Sequence, residues 1–116
     1  MAQLVALLSS GKGSWNHVAK LTNHFDETIL ITNKFGAENY SSQGTTQMVL
    51  CDLDAPVHVL EDQFLKQLRP LLKGVDVALN MVSGSGNEHM ALLSALLKLG
   101  LGIRLVVATE NGFDEL

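Results

Sequence analysis

Val75-Asp-Val-Ala-Leu-Asn-Met-Val82 is an apolar run rich in β-branched residues. It empties into Ser83-Gly84-Ser85-Gly86-Asn87-Glu88-His89-Met90, and then into the apolar segment Ala91 to Leu99. Strand, short glycine-serine turn and buried helix make the unit from which parallel sheets are wound, because the helix carries the chain back to start the next strand. The same unit presents unpaired backbone N–H groups and the positive end of a helix dipole beyond the strand, where an anion is favoured. A phosphate-bearing ligand is therefore the first functional expectation.

The unit recurs along the chain. Leu4 to Leu8 reads as a strand buried on both faces, followed by the turn Ser9-Ser10-Gly11-Lys12-Gly13-Ser14. Ser14 is a plausible N-cap for a helix that carries Trp15, Val18 and Leu21 at helical spacing. Thr28 to Thr32 is a second strand, and Gln47 to Asp52 a third; the polar stretch between them, 33–46, has room for a short helix around Phe35 to Tyr40. Val57 to Lys73 places Val57, Leu60, Phe64, Leu65, Leu68, Leu71 and Leu72 on one helical face, which Pro70 should kink or cut short. Val75 to Val82 is the fourth strand and Ile103 to Ala108 the fifth; the polar tail Glu110 to Leu116 reads as a loop or frayed end. Alternating strands and helices predict an α/β fold: a Rossmann-like three-layer sandwich of about five mostly parallel strands with helices on both faces, formed by residues 1–116 as one domain.

Composition bounds the partners. With 47% apolar and 17% charged residues, the 116-residue chain is lean in charge for a small monomer, and the helix Met90 to Leu99 is apolar nearly all round. Both features predict self-association, most simply as a homodimer. A net charge of −4 offers no basic field for duplex nucleic acid. Cys51, the single cysteine, excludes an internal disulfide and a cysteine zinc site, and its apolar setting predicts a buried, inert thiol. The apolar N-terminus lacks a basic signal-peptide region and no run is long enough for a membrane span, so a cytoplasmic protein with no membrane partner is expected.

In doubly wound sheets, ligands sit beyond the carboxyl ends of the strands where strand order reverses. If strands one and four are neighbours, loops 9–14 and 83–89 share that place. The candidate binding residues are therefore Ser9, Ser10, Gly11 and Lys12 in one loop, with Ser83, Gly84, Ser85, Gly86, Asn87 and His89 in the other. Glycines let a ligand approach the backbone, hydroxyls and the Asn87 amide can donate, and the Lys12 ammonium suits phosphate as a point charge. Each has a plainer reading: Ser85 and Glu88 form a capping box, Lys12 is a solvated surface lysine, and Trp15 is core rather than a stacking platform. His17 and His89 open two helices at this end and could share acid–base work, or could simply be polar neighbours. No Walker A loop, H-E-x-x-H metal motif or G-x-S-x-G elbow is present, and neither a cofactor nor a metal is expected.

Two segments resemble the CARF domain, the CRISPR-associated Rossmann fold. One is Leu4-Val-Ala-Leu-Leu-Ser-Ser-Gly11. The other is Leu79-Asn-Met-Val-Ser-Gly-Ser-Gly-Asn-Glu-His-Met-Ala-Leu-Leu93, which is similar to the family's Asn-x-[Ser/Thr]-Gly-Gly-Thr-Lys/Arg-x-Met signature through Asn80, Ser83, Gly84 and Met90. The resemblance implies a stand-alone homodimer that holds a cyclic oligoadenylate across its two-fold axis. Two alternatives stand beside that reading. One is a metal-independent phosphodiesterase, in which Ser10 or Ser83 positions a phosphate, Lys12 stabilises charge and a ribose 2′-hydroxyl attacks. The other is a structural dimer without ligand. Where the family carries Lys or Arg, this chain has Asn87 and Glu88, a departure that weakens the case for a tightly held polyanion.

Overall fold

The computed structural model describes residues 3–9, 12–41 and 44–116, with Lys12 described by its backbone alone. The strands are β1 (Gln3–Leu8), β2 (Glu27–Thr32), β3 (Thr46–Leu50), β4 (Asp76–Asn80), β5 (Gly102–Thr109) and β6 (Gly112–Glu115). The helices are α1 (Trp15–Thr22), α2 (Lys34–Asn39), α3 (Val57–Leu68) and α4 (Gly86–Lys98). One six-stranded sheet runs β3-β2-β1-β4-β5-β6, parallel except for its last pair. The expected α/β sandwich is what forms.

Alternation along β1 builds the two sides of the core. Val5 and Leu7 join Ile29, Ile31, Val77 and Leu79 under Leu60, Phe64 and Leu68 of α3 and Leu92 and Leu96 of α4. Leu4, Ala6 and Leu8 point the other way, toward Trp15, Val18 and Leu21 of α1. Because both faces are covered, β1 must be apolar throughout, as its continuous run predicts.

Several local expectations are corrected. The tail is neither loop nor frayed end: 112–115 pairs antiparallel with β5, and Phe113 packs on Phe25 and His24 with ring centroids 5.1 and 5.6 Å away. A solvent-facing edge strand needs no apolar run, so polarity alone misread it. Met81 and Val82 fall outside β4, where the chain already turns. Helix α3 stops at Leu68, two residues before Pro70, and Val57 is left facing solvent. Helix α4 begins earlier than its apolar segment, at Gly86. Ser14 makes no side-chain cap, because a 3-10 turn over 12–14 delivers it to α1 in helical conformation (φ −78°) rather than the extended one a capping side chain needs. Cys51 is buried as expected, and desolvation pushes its thiol up to about 11. No helix among the described residues is long and apolar enough to cross a membrane.

Candidate functional site

Strand order reverses between β1 and β4, which lie side by side with Ala6 opposite Asn80. Their loops leave the sheet together, and a hydrogen bond joins them: the Ser9 N–H donates to Ser83 Oγ at 2.9 Å. Ser83 is only 1% exposed, so this tie is internal. Its carbonyl also lies 3.1 Å from His89 Nε2, which folds the turn back onto α4. Gly84 turns the chain at φ +109°, a conformation L side chains rarely adopt. Ser85 then caps α4, its Oγ accepting from the Glu88 N–H at 3.3 Å.

Asn80 fastens the sheet beneath this turn. Its Nδ2 donates to the Val106 carbonyl at 2.8 Å and approaches His17 Nε2 at 3.2 Å, while its Oδ1 accepts from the Val82 N–H at 3.2 Å. His17 Nε2 also accepts from the Ala108 N–H at 3.1 Å. Two donors converge on one ring nitrogen, so the neutral tautomer that carries its proton on Nδ1 fits. Burial, and secondarily the nearby Lys20 charge, hold the His17 pKa below its ordinary value. His17 and His89 thus bond different partners in the scaffold, and neither lines the cleft described next.

A cleft of about 520 Å³ opens beside the joined loops, over the carboxyl ends of β1, β2 and β3. Ser9 and Trp15 form one wall, Asn33 and Phe35 a second, 53–55 a third, and Ser85, Asn87 and Glu88 of the α4 N-terminus a fourth. Asn33 Oδ1 accepts from the Gly36 N–H at 2.9 Å and caps α2. Trp15 is largely buried: its Nε1 donates to the Ser9 carbonyl at 3.1 Å, and its ring packs between Phe35 and Tyr40, each 6.1 Å away. Trp15 is core, and Phe35, 54% exposed, is the more open aromatic face.

Of the sequence candidates, Ser9, Ser85 and Asn87 line this cleft; Ser83, Gly84, Gly86 and His89 build the turn behind it. Ser10 and Gly11 lie outside the described residues, as does the Lys12 side chain. Sequence reasoning missed Asn33, Phe35 and Leu53-Asp54-Ala55. A signal existed, since these residues follow β2 and β3 and so also lie beyond strand carboxyl ends. The capping box is made in one half only. Glu88 is 6% exposed, and its Oε1 has no hydrogen-bond partner. Among the described lining residues there is no Lys, Arg or His. No three described His, Cys, Asp or Glu side chains gather as metal ligands would.

No protein-family model and no curated protein sequence matches the chain. Among solved structures it is similar to Enterococcus italicus Csm6 bound to cyclic hexa-2'-fluoro-hexa-dAMP, with 14% sequence identity and a TM-score of 0.59. The likeness covers 98% of this chain and 35% of that one, so the chain spans about a third of its neighbour's length. It supports a CARF-like Rossmann fold.

Proposed function

We propose that this chain is a homodimeric binding module for a nucleotide-type ligand, with a cyclic oligoadenylate as the first candidate. The observation that carries the reading is the Ser9–Ser83 hydrogen bond, which brings both glycine-serine loops to one edge of a cleft at the strand-order reversal. The fold shared with a cyclic-oligonucleotide-bound neighbour supports the choice of ligand. Phosphate contacts would come from loop 9–14, Lys12 included, and from the Gly86 and Asn87 N–H groups of α4, which have no intrahelical partner; that of Glu88 is held by Ser85 Oγ. Association is supported by Met90 and Leu97, one α4 face apart by seven residues and 67% and 62% exposed.

Titration with cyclic tetra- and hexaadenylate, followed by thermal melting and light scattering, tests the reading. A specific ligand at about 100 times its dissociation constant should stabilise the fold by roughly 2.7 kcal/mol. A dimer at micromolar concentration is expected. A monomer under those conditions, or melting unchanged by either ring, refutes the proposal.

A further inference from the structure

Pairing with β6 carries the sheet past the helix that covers its α1 face. Leu21 of α1 packs there with Leu4, Ala78 and Val106, and α1 ends at Thr22. Strand alternation puts Asp76 on the same face as Ala78, and Arg104 on the same face as Val106. The β5–β6 register adds Phe113 opposite Ala108 and Glu115 opposite Val106. A cavity of about 510 Å³ opens at this place, close in size to the loop cleft but set where the chain enters β4. Phe25, Phe113 and Val75 give it apolar walls, and Val75 is 82% exposed. Asp76 and Arg104 supply one carboxylate and one guanidinium to the lining. These charges are neighbours without being locked together. Arg104 Nε stands 3.8 Å from Asp76 Oδ2, and Nη1 stands 3.6 Å from Glu115 Oε1, both beyond direct hydrogen-bond distance. Partly exposed ion pairs of this kind add little to stability, so the fold does not depend on their pairing with each other.

We infer that this cavity is a second binding site, separate from the loop cleft, for a free α-amino acid with an aromatic side chain. A carboxylate offers the Arg104 guanidinium the planar pair of acceptors that its forked donors match. A ligand with that charge alone is repelled by Asp76 and Glu115, and one with only an ammonium is repelled by Arg104. A zwitterion carries both charges on one carbon and meets the two neighbouring side chains in complementary order, carboxylate to Arg104 and ammonium to Asp76. Its side chain lies against Phe25 and Phe113, a tilted pair with centroids 5.1 Å apart that a third ring can join. The two termini of a peptide are not held on one carbon, so a peptide end does not match this pair of charges.

The test titrates wild type, Arg104→Gln and Asp76→Asn with phenylalanine, phenylpropionate (no ammonium) and phenethylamine (no carboxylate), followed by amide chemical shifts in protein NMR. Phenylalanine should shift the amides of Asp76, Arg104 and Phe113. It should bind wild type about tenfold more tightly than either single-charge probe, the size of a lost charge-assisted hydrogen bond. Arg104→Gln should weaken phenylalanine and phenylpropionate. Asp76→Asn should weaken phenylalanine and phenethylamine yet tighten phenylpropionate, opposite changes that a loss of folding does not produce. Should Arg104→Gln fail to fold, the Asp76→Asn comparison decides alone. No binding of phenylalanine at millimolar concentration overturns the inference, as do equal affinities for the three probes, shifts confined to Ser9, Asn33 and Ser85, or probe preferences unchanged in Asp76→Asn. Each of these results leaves the nucleotide reading standing, because the loop cleft shares no lining residue with this cavity.

Discussion

Gly36→Ala puts the scaffold of the cleft under a defined load. A Cβ at this position would sit 1.8 Å from Thr32 Oγ1, 3.2 Å from Thr32 Cβ and 3.3 Å from the Leu8 carbonyl oxygen. Thr32 is fully buried, and its hydroxyl donates to that same carbonyl at 2.6 Å, tying the carboxyl ends of β1 and β2 together. The new methyl leaves two ways out. Thr32 can rotate and abandon Leu8, which leaves buried polar groups unpaired at a cost of about 1–3 kcal/mol. Alternatively, α2 can move off the sheet, an overpacking cost of about 1–3 kcal/mol that also displaces Asn33 and Phe35 from the cleft. Either route predicts a loss of about 2 kcal/mol, read in urea unfolding as a lower midpoint with an unchanged slope. Thr32→Ala removes the obstructing atom, so it should cost less in the Gly36→Ala background than alone, with a coupling of about 1 kcal/mol. A Gly36→Ala protein within about 0.5 kcal/mol of wild type, or strict additivity of the two changes, refutes the reasoning.

Three further outcomes follow from the structure. Gly84→Ala should destabilise by about 1–3 kcal/mol, because it forces a positive φ on a side chain and crowds Glu88 Oε1. Gly86→Ala, with nothing within 4 Å of its added methyl, should be neutral or slightly stabilising; equal melting temperatures for the two variants would contradict this. His17 should make stability depend on pH. Its folded pKa lies below the ordinary 6.5, so the unfolded chain takes up protons first as pH falls. Its contribution is complete above that value and is lost as pH drops toward the folded pKa. His17→Gln should flatten the stability profile below pH 6.5, and a profile superimposable on wild type would remove His17 as its source.

How much could be read from the chain alone follows the range of the forces involved. The runs at Leu4–Leu8 and Val75–Val82, the Ser85 cap and the stop before Pro70 are local consequences of burial, capping chemistry and a missing N–H. From them the α/β alternation, the two glycine-serine loops and their common end of the sheet were legible. What no local pattern carries is which distant groups meet. Strand order brought Asn33, Phe35 and Asp54 to the same cleft as Ser9 and Ser85, and pairing with β5 turned a polar tail into a strand. Glu88 marks the boundary most sharply. Its spacing from Ser85 determined that a capping box was available. Only the packing of the turn, with Gly84 at φ +109° and the Ser9–Ser83 tie beneath it, decided that the carboxylate would be buried with an oxygen left unpaired. Hydrogen-bond satisfaction of a buried group depends on every neighbour the fold supplies, and those neighbours are assembled in three dimensions rather than along the chain.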